Sequence, residues 1–333
     1  MQKSLPSLAI GRRTCAAAMA LALALGGAAN AAPPAYPTKA VTVVVPWPAG
    51  GSADPFGRLF AQELSKKWGQ PVVVDNKAGA NAVIGTGFVA KAQPDGYTLL
   101  TALGNHSMNP AFYKDLPFDT AKAFTPIALL AIAPNVLVLR KDFPANNMAE
   151  FLDAVRKNPG KFTYASSGNG GTPHLAGELF ALKTGTSLLH VPYKGASPAM
   201  TDLIGGTVDM SFATLSSALP YIRSGKVKAI ALTYDERVPQ LPDVPSMAEL
   251  GVKGVKVATW YGFMAPAGTP RNIVDKIHDD LVEIAMRPEI KEKVTGMLGT
   301  MVISEDSRQF QSRVESEIAE WMSVVQAANV KIN

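Results

Sequence analysis

The residues able to do covalent or metal chemistry are few, and their spacing suits neither. The four histidines stand at 106, 174, 190 and 278, with no H-E-x-x-H and no i, i+4 pair. Zinc hydrolysis therefore has no motif. Cys15 is the single cysteine and falls in the N-terminal apolar run, so thiol and disulfide chemistry are both excluded for the remainder. Ser166, Ser167 and Gly168 lack the leading glycine of a nucleophile elbow, and no G-x-x-x-x-G-K-[ST] occurs. Gly85-Thr86-Gly87 imitates a dinucleotide fingerprint. It falls inside the helix after the second strand rather than in a first strand-to-helix turn, so no cofactor is expected.

What remains is donor chemistry. Two glycine-rich stretches, PWPAGGSADP and SSGNGGTP, each precede a helix with an early proline, Pro55 and Pro173. A helix start carries bare N–H groups and partial positive charge, which makes an anion site without a basic side chain. The first stretch offers Ala49, Gly50, Gly51 and Ser52, with Trp47 as an apolar wall. Asp54 is either a helix cap or first-turn acid, or a group that meets a ligand ammonium, hydroxyl or bridging water. The second stretch offers Ser166, Ser167, Asn169 and Thr172, with Thr172 also expected to cap its helix. His174, in that helix's first turn, is a structural donor or a ligand group.

These stretches need elements to hold them. Val41, Val43, Val44 and Val45 make a β-branched run too apolar for a half-wet strand. Phe56, Leu59, Phe60, Leu64 and Trp68 follow at helical spacing. Short strands at 72–74 and 97–101, with a helix over 83–91, complete a β-α-β-α-β order, that of a parallel doubly wound sheet. Ligands in such sheets sit beyond the carboxyl ends of the strands, which places Asn81 and His106 toward a cleft. Residues 127–132 and 135–140 read as two further strands. A second α/β unit follows over 144–240, and a strand over 256–264 returns toward the first. Three helices over 270–286, 288–297 and 306–328 close the chain with no further strand of their own. The expected division is a discontinuous domain of residues 36–140 plus 258–330 and a second of 141–257. Crossings near 139–144 and 252–258 would form a hinge.

The ends bound the compartment. Lys3, Arg12 and Arg13 precede an apolar run over 15–25 and then Ala29-Asn30-Ala31. This reads as a secretory signal peptide over 1–31, cleaved after Ala31, and implies the periplasm. Its loss leaves 29 basic against 27 acidic residues, so the +5 of the full chain argues for neither nucleic acid nor membrane binding.

The chain resembles the extracytoplasmic solute-binding receptors of the tripartite tricarboxylate transporter family, the Bug-type periplasmic binding proteins. The resemblance covers residues 36–328. It rests on YPTKAVTVVVPWPAGGSADPFGR, GQPVVVDNKAGANAVIGTGFVAKAQPDGYTLL, YASSGNGGTPHLAGELF, HVPYKGASPAMTDLIGGTVDMSF, and LPDVPSMAELG followed by WYGFMAPAGTP. Trp47 stands where an aromatic residue, often Phe, is usual, and Ser52 replaces the third glycine of a common Gly-Gly-Gly run. The resemblance implies a "Venus flytrap" of two doubly wound α/β domains joined by two crossing segments. It implies no enzymatic activity, no cofactor, and a carboxylate held in the interdomain cleft for a membrane permease. It also puts the strand ending in Asp209 and Phe212 near that cleft. A monomer is expected. Two other roles stay open: an orphan sensor subunit presenting its ligand to a sensor kinase ectodomain, and a periplasmic hydrolase using His174 and a serine.

Overall fold

The computed structural model describes Gln2 and residues 36–327, apart from 51, 52, 299 and 300. The leader expected over 1–31, but for Gln2, and the candidate residues Gly51 and Ser52 lie outside the described residues. In chain order the first elements are β1 (Val41–Val45), α1 (Ala53–Trp68), β2 (Val72–Asn76), α2 (Val83–Ala90), β3 (Thr98–Leu103), α3 (Asn105–Phe112) and β4 (Phe124–Arg140). Next come α4 (Met148–Lys157), β5 (Thr163–Ser166), α5 (Thr172–Thr184), β6 (Leu189–Pro192), α6 (Ala196–Ile204), β7 (Met210–Thr214), α7 (Leu215–Arg223) and β8 (Val227–Leu232). The chain ends with β9 (Ala258–Pro266), α8 (Arg271–Met286), α9 (Pro288–Leu298), β10 (Met301–Glu305) and α10 (Ser307–Ala327).

The strands run in the order β2-β1-β3-β9-β4-β7-β5-β6, with β8 and β10 also paired to β4. β1 pairs in parallel with β2 and β3 and is covered on both faces, which is why its four alternate and consecutive valines are all buried. α1 lays Phe56, Phe60 and Leu64 on this sheet. The approach is close: a Cβ on Gly57 would stand 2.7 Å from Val45 Cγ2, so α1 needs glycine at that point. β9 lies antiparallel between β3 and β4.

Two expectations about strands need correction. Residues 127–132 and 135–140 are not two strands but parts of the 17-residue β4. Pro134 has no N–H to give a ladder and stands at the end of one. It ends the pairing with β9, and from Asn135 onward β4 pairs with β7 on one side, then β8 on the other from Val136. The C-terminal region does contain a strand: β10 joins β4 in antiparallel register, Met301 opposite Ile132. α10 joins two buried clusters. Its Phe310 and Val314 pack with Trp260 and Leu129, while Trp321 and Val324 pack with Phe151, Phe180 and Phe212. No helix among the described residues is long and apolar enough to cross a membrane.

Candidate functional site

A cavity of about 560 Å³ opens beyond the carboxyl ends of β1, β3, β5 and β7. Trp47, Asn81, Asn105, Thr259 and Tyr261 line it from one sheet; Ser167, Thr172, Ser197, Thr214 and Ser217 line it from the other. None of its described lining residues is charged. Five helix starts meet there: Ala53 of α1, Asn105 of α3, Thr172 of α5, Ala196 of α6 and Ser216 of α7. Summed helix-end charge of this kind favours an anion while leaving it easy to release.

The opening loop is shaped from behind. Asp54 is buried, and its Oδ2 accepts the Gly50 N–H at 3.0 Å. Its Oδ1 accepts Asn76 Nδ2 at 2.9 Å and Arg58 Nε at 2.9 Å. Asn76 Nδ2 also donates to the Trp47 carbonyl at 3.1 Å. Burial pushes the Asp54 carboxyl up, but the Gly50 amide, Arg58 and Asn76 outweigh it and hold it below the usual carboxylate range. Asp54 thus ties the loop and does not line the cavity. The Gly50 N–H is turned inward to that carboxylate and is not free for a ligand. Trp47 Nε1, by contrast, has no protein partner among the described residues.

Asparagines shape the next loop. Ala80, Asn81 and Ala82 all take left-handed backbone, with φ of 47°, 50° and 75°. Such a run costs about 1–2 kcal/mol per alanine. It is held by the Asn81 carbonyl, which accepts Asn105 Nδ2 at 2.9 Å and Asn109 Nδ2 at 3.0 Å. The same bonds bring Asn81 and Asn105 together at the cavity wall.

The second glycine-rich loop runs from Ser166, which is fully buried, to Gly171. Ser167, Gly171 and Thr172 face the cavity. Thr172 is not the cap of α5: Gly171 holds that position, and the Thr172 hydroxyl instead meets Thr259 Oγ1 at 3.1 Å. Pro173 at the first turn wastes no N–H.

The other sequence-derived candidates are placed elsewhere. His106 is buried edge-on against Phe124, and burial pushes its imidazole down to about 4. His174 is buried beneath its loop, and Asn169 is exposed outside the cavity lining. Ala49 and Gly50 belong to the opening loop without lining the cavity. Asp209 precedes the amino end of β7, the far end from the cavity, where it binds Arg140 Nε at 3.1 Å and the Thr163 N–H at 2.9 Å. Phe212 is fully buried core. Sequence reasoning missed Asn105, Ser197, Thr214, Ser216, Ser217, Thr259 and Tyr261. The rule that pointed to Asn81, applied to the end of β7, would have reached Thr214 to Ser217. Thr259 and Tyr261 carry no loop signal, because they lie within a strand.

Residues 56–330 match the family described as "Tripartite tricarboxylate transporter family receptor". The UPF0065 protein in the tcbD-tcbE intergenic region of Pseudomonas sp. (strain P51) is 37% identical over 322 residues, covering 96% of each chain. Among solved structures, R. palustris Rpa4515 with adipate is 34% identical with a TM-score of 0.77, over 89% of this chain and 99% of that one. MatC (Rpa3494) from Rhodopseudomonas palustris with bound malate is 34% identical with a TM-score of 0.73, over 87% of this chain and 100% of that one. The strand order, the cavity at the strand ends and these matches agree: the chain belongs to the tripartite tricarboxylate transporter receptor family, whose members are solute-binding receptors rather than enzymes.

Proposed function

We propose that the chain is a periplasmic receptor that captures a small organic dicarboxylate and delivers it to a tripartite tricarboxylate-type membrane transporter. The observation that carries this is the convergence of five helix starts on a cavity with no charged described residue. Both sheets supply helix starts and neutral donors, so both ends of a diacid find partners. Trp47, Leu103, Pro173 and Tyr261 supply apolar wall for the carbon chain between them. The volume suits a small molecule, since such pockets span ~300–1,000 Å³. The adipate of Rpa4515 and the malate of MatC are both dicarboxylates, which supports the reading.

Export would use the leader over residues 1–31, with cleavage after Ala31. The proposed lobes follow the change of strand partners. β4 leaves β9 at Pro134 and takes up β7 at Asn135, and this change of partners supports a division of the chain into two lobes along β4. Closure of the lobes would bury the ligand, driven by contacts made only in the closed form.

A thermal-shift panel tests the reading. At a hundredfold excess over Kd, a ligand that binds only the native state stabilises it by about 2.7 kcal/mol. Dicarboxylates of four to six carbons are expected to raise Tm by about 5 °C. Matched monoamines and neutral diols should leave it unchanged. A panel in which the diols shift Tm and no carboxylate does would sink the proposal.

A further inference from the structure

Two histidines that the cavity does not use lie directly beneath one of its walls. The His174 and His190 rings stack at 3.8 Å between centroids and 7° between planes. Tyr164 also stacks on His190, at 4.8 Å between centroids and 28° between planes. Each imidazole reaches the loop that follows β5. His174 Nδ1 accepts the Gly170 N–H at 3.1 Å. His190 Nε2 meets Ser166 Oγ at 2.6 Å, and that same oxygen accepts the Gly168 N–H at 3.2 Å. Gly168 and Gly170 both have positive φ, 135° and 74°, so the loop has an unusual shape that the two N–H bonds hold.

We propose that His174 and His190 are positioning residues for the ligand cavity: a stacked pair of neutral imidazoles that sets the shape of residues 167–171. That shape fixes where Ser167 and Gly171 stand in the cavity wall. The protonation state follows from the bonds. Because Nδ1 of His174 accepts a peptide N–H, its proton must sit on Nε2. That Nε2 lies 3.8 Å from Glu178 Oε1, a carboxylate oxygen already bonded by the Tyr164 hydroxyl at 2.5 Å. An imidazolium at His174 would aim a second N–H at the Gly170 N–H and would face His190 at stacking distance. Burial pushes both rings down, His174 to about 3 with the help of His190, and His190 to about 4. Both rings are therefore neutral near pH 7, as the Gly170 N–H bond to His174 Nδ1 requires.

The role rests on the receptor reading only for its consequence in binding, so the first measurements use the ligand-free full chain. His174→Asn keeps an oxygen near the Nδ1 position, whereas His174→Phe keeps a ring in the stack and loses the acceptor. Amide exchange at Gly170, read by NMR at pH 7, should quicken about tenfold in His174→Phe and stay near wild type in His174→Asn. A purely packing role predicts the reverse order, because Asn leaves a void and Phe fills it. The reverse order, or equal exchange in the two variants, overturns the proposal. Should His174→Phe fail to fold, nitrogen-15 spectra of the wild-type histidines decide. The neutral Nε2–H tautomer at His174 from pH 5 to 8 supports the proposal, and the Nδ1–H tautomer or an imidazolium refutes it. Titration calorimetry with adipate then reads the consequence. His174→Phe should bind about tenfold more weakly than His174→Asn. Wild-type protein that ignores adipate would count against the dicarboxylate reading alone, since exchange and tautomer are read without it.

Discussion

Asp54 shows how a single acid can shape the wall of a proposed anion site without lining it. Its two oxygens hold the Gly50 amide, the Asn76 amide and the Arg58 guanidinium, and so fix the opening loop. Asp54→Ala removes the acceptor of the Gly50 N–H and one of the two acceptors of Asn76 Nδ2, which keeps the Trp47 carbonyl. Hydrogen bonds to a charged group contribute about 1.5–3 kcal/mol, so urea titration should show a loss near 2 kcal/mol. The pH dependence has a definite sign. The folded carboxyl lies below its unfolded value, so its contribution is fully present above the ordinary value of ~3.9 and is lost as pH falls through the lower, folded one. The difference between wild type and Asp54→Ala should be constant from pH 5 to 7 and narrow below pH ~4. A difference that grows on acidification would show that the carboxyl is not held as its contacts imply. From sequence alone, cap and ligand contact were equally available to Asp54. Its partner Asn76 lies 22 positions away, beyond any local pattern.

At the scale of elements, β9 carries two functions on alternate residues. Thr259 and Tyr261 face the cavity, while Trp260 points to the opposite side, where its Nε1 donates to Glu317 Oε2 at 2.8 Å. Ser107 of α3 donates to the same oxygen at 2.5 Å, and Arg313 stands 3.7 Å from the other. Glu317 therefore ties together α10, β9 and α3, and the last two carry cavity residues. Burial pushes its carboxyl up more than the Ser107, Trp260 and Arg313 contacts pull it down. For an acid with a raised folded value, stability falls as pH rises from the unfolded value of ~4.3 through the folded one. Glu317→Gln keeps an acceptor and removes the charge, so its stability relative to wild type should improve between pH 4.5 and pH 7.5. Glu317→Leu leaves the Trp260 Nε1 unpaired, while Ser107 keeps the Gly104 carbonyl at 2.9 Å, and should lose about 1–3 kcal/mol at either pH. Denaturant curves for the two variants at both pH values check this. A flat relative stability for Glu317→Gln would refute the assigned pH dependence. Elements whose signal is local were legible in the sequence: the valines of β1, the aromatic spacing of α1, the two glycine-rich loops. β4 and β10 were not, because the continuity of the first and the pairing of the second depend on partners distant in the chain. Thr214 to Ser217 escaped for a related reason. That helix start has hydroxyls but no glycine to announce it.

For the molecule as a whole, the decisive place is where β4 changes partners. Three chain passages meet there, at Asn135, Thr233 and Val257, all buried. The Thr233 N–H donates to the Asn135 carbonyl at 2.8 Å, and the Val257 N–H donates to the Thr233 carbonyl at 2.8 Å. The Thr233 hydroxyl accepts the Asn135 N–H at 3.1 Å and reaches the Val257 carbonyl at 2.6 Å. Asn135 Nδ2 adds a bond to the Phe212 carbonyl at 2.7 Å. If the proposed lobes move, they pivot on this knot, because it is the hydrogen-bonded tie shared by all three passages. Thr233→Val keeps the volume and removes the hydroxyl, leaving a buried carbonyl short of a donor at a cost of about 1–3 kcal/mol. A pivot role adds a second effect. The loosened knot should shift the balance of open and closed forms, so small-angle scattering of the ligand-free variant should give a different radius of gyration from wild type. Saturating ligand should bring the two together, since differential affinity drives both to the closed form. Thr172→Val supplies the contrast. It removes the 3.1 Å contact with Thr259 at the cavity and leaves the knot intact. It should weaken ligand binding without changing the ligand-free radius. If both variants lose stability alone and neither changes the radius, the knot is structural and the pivot lies elsewhere.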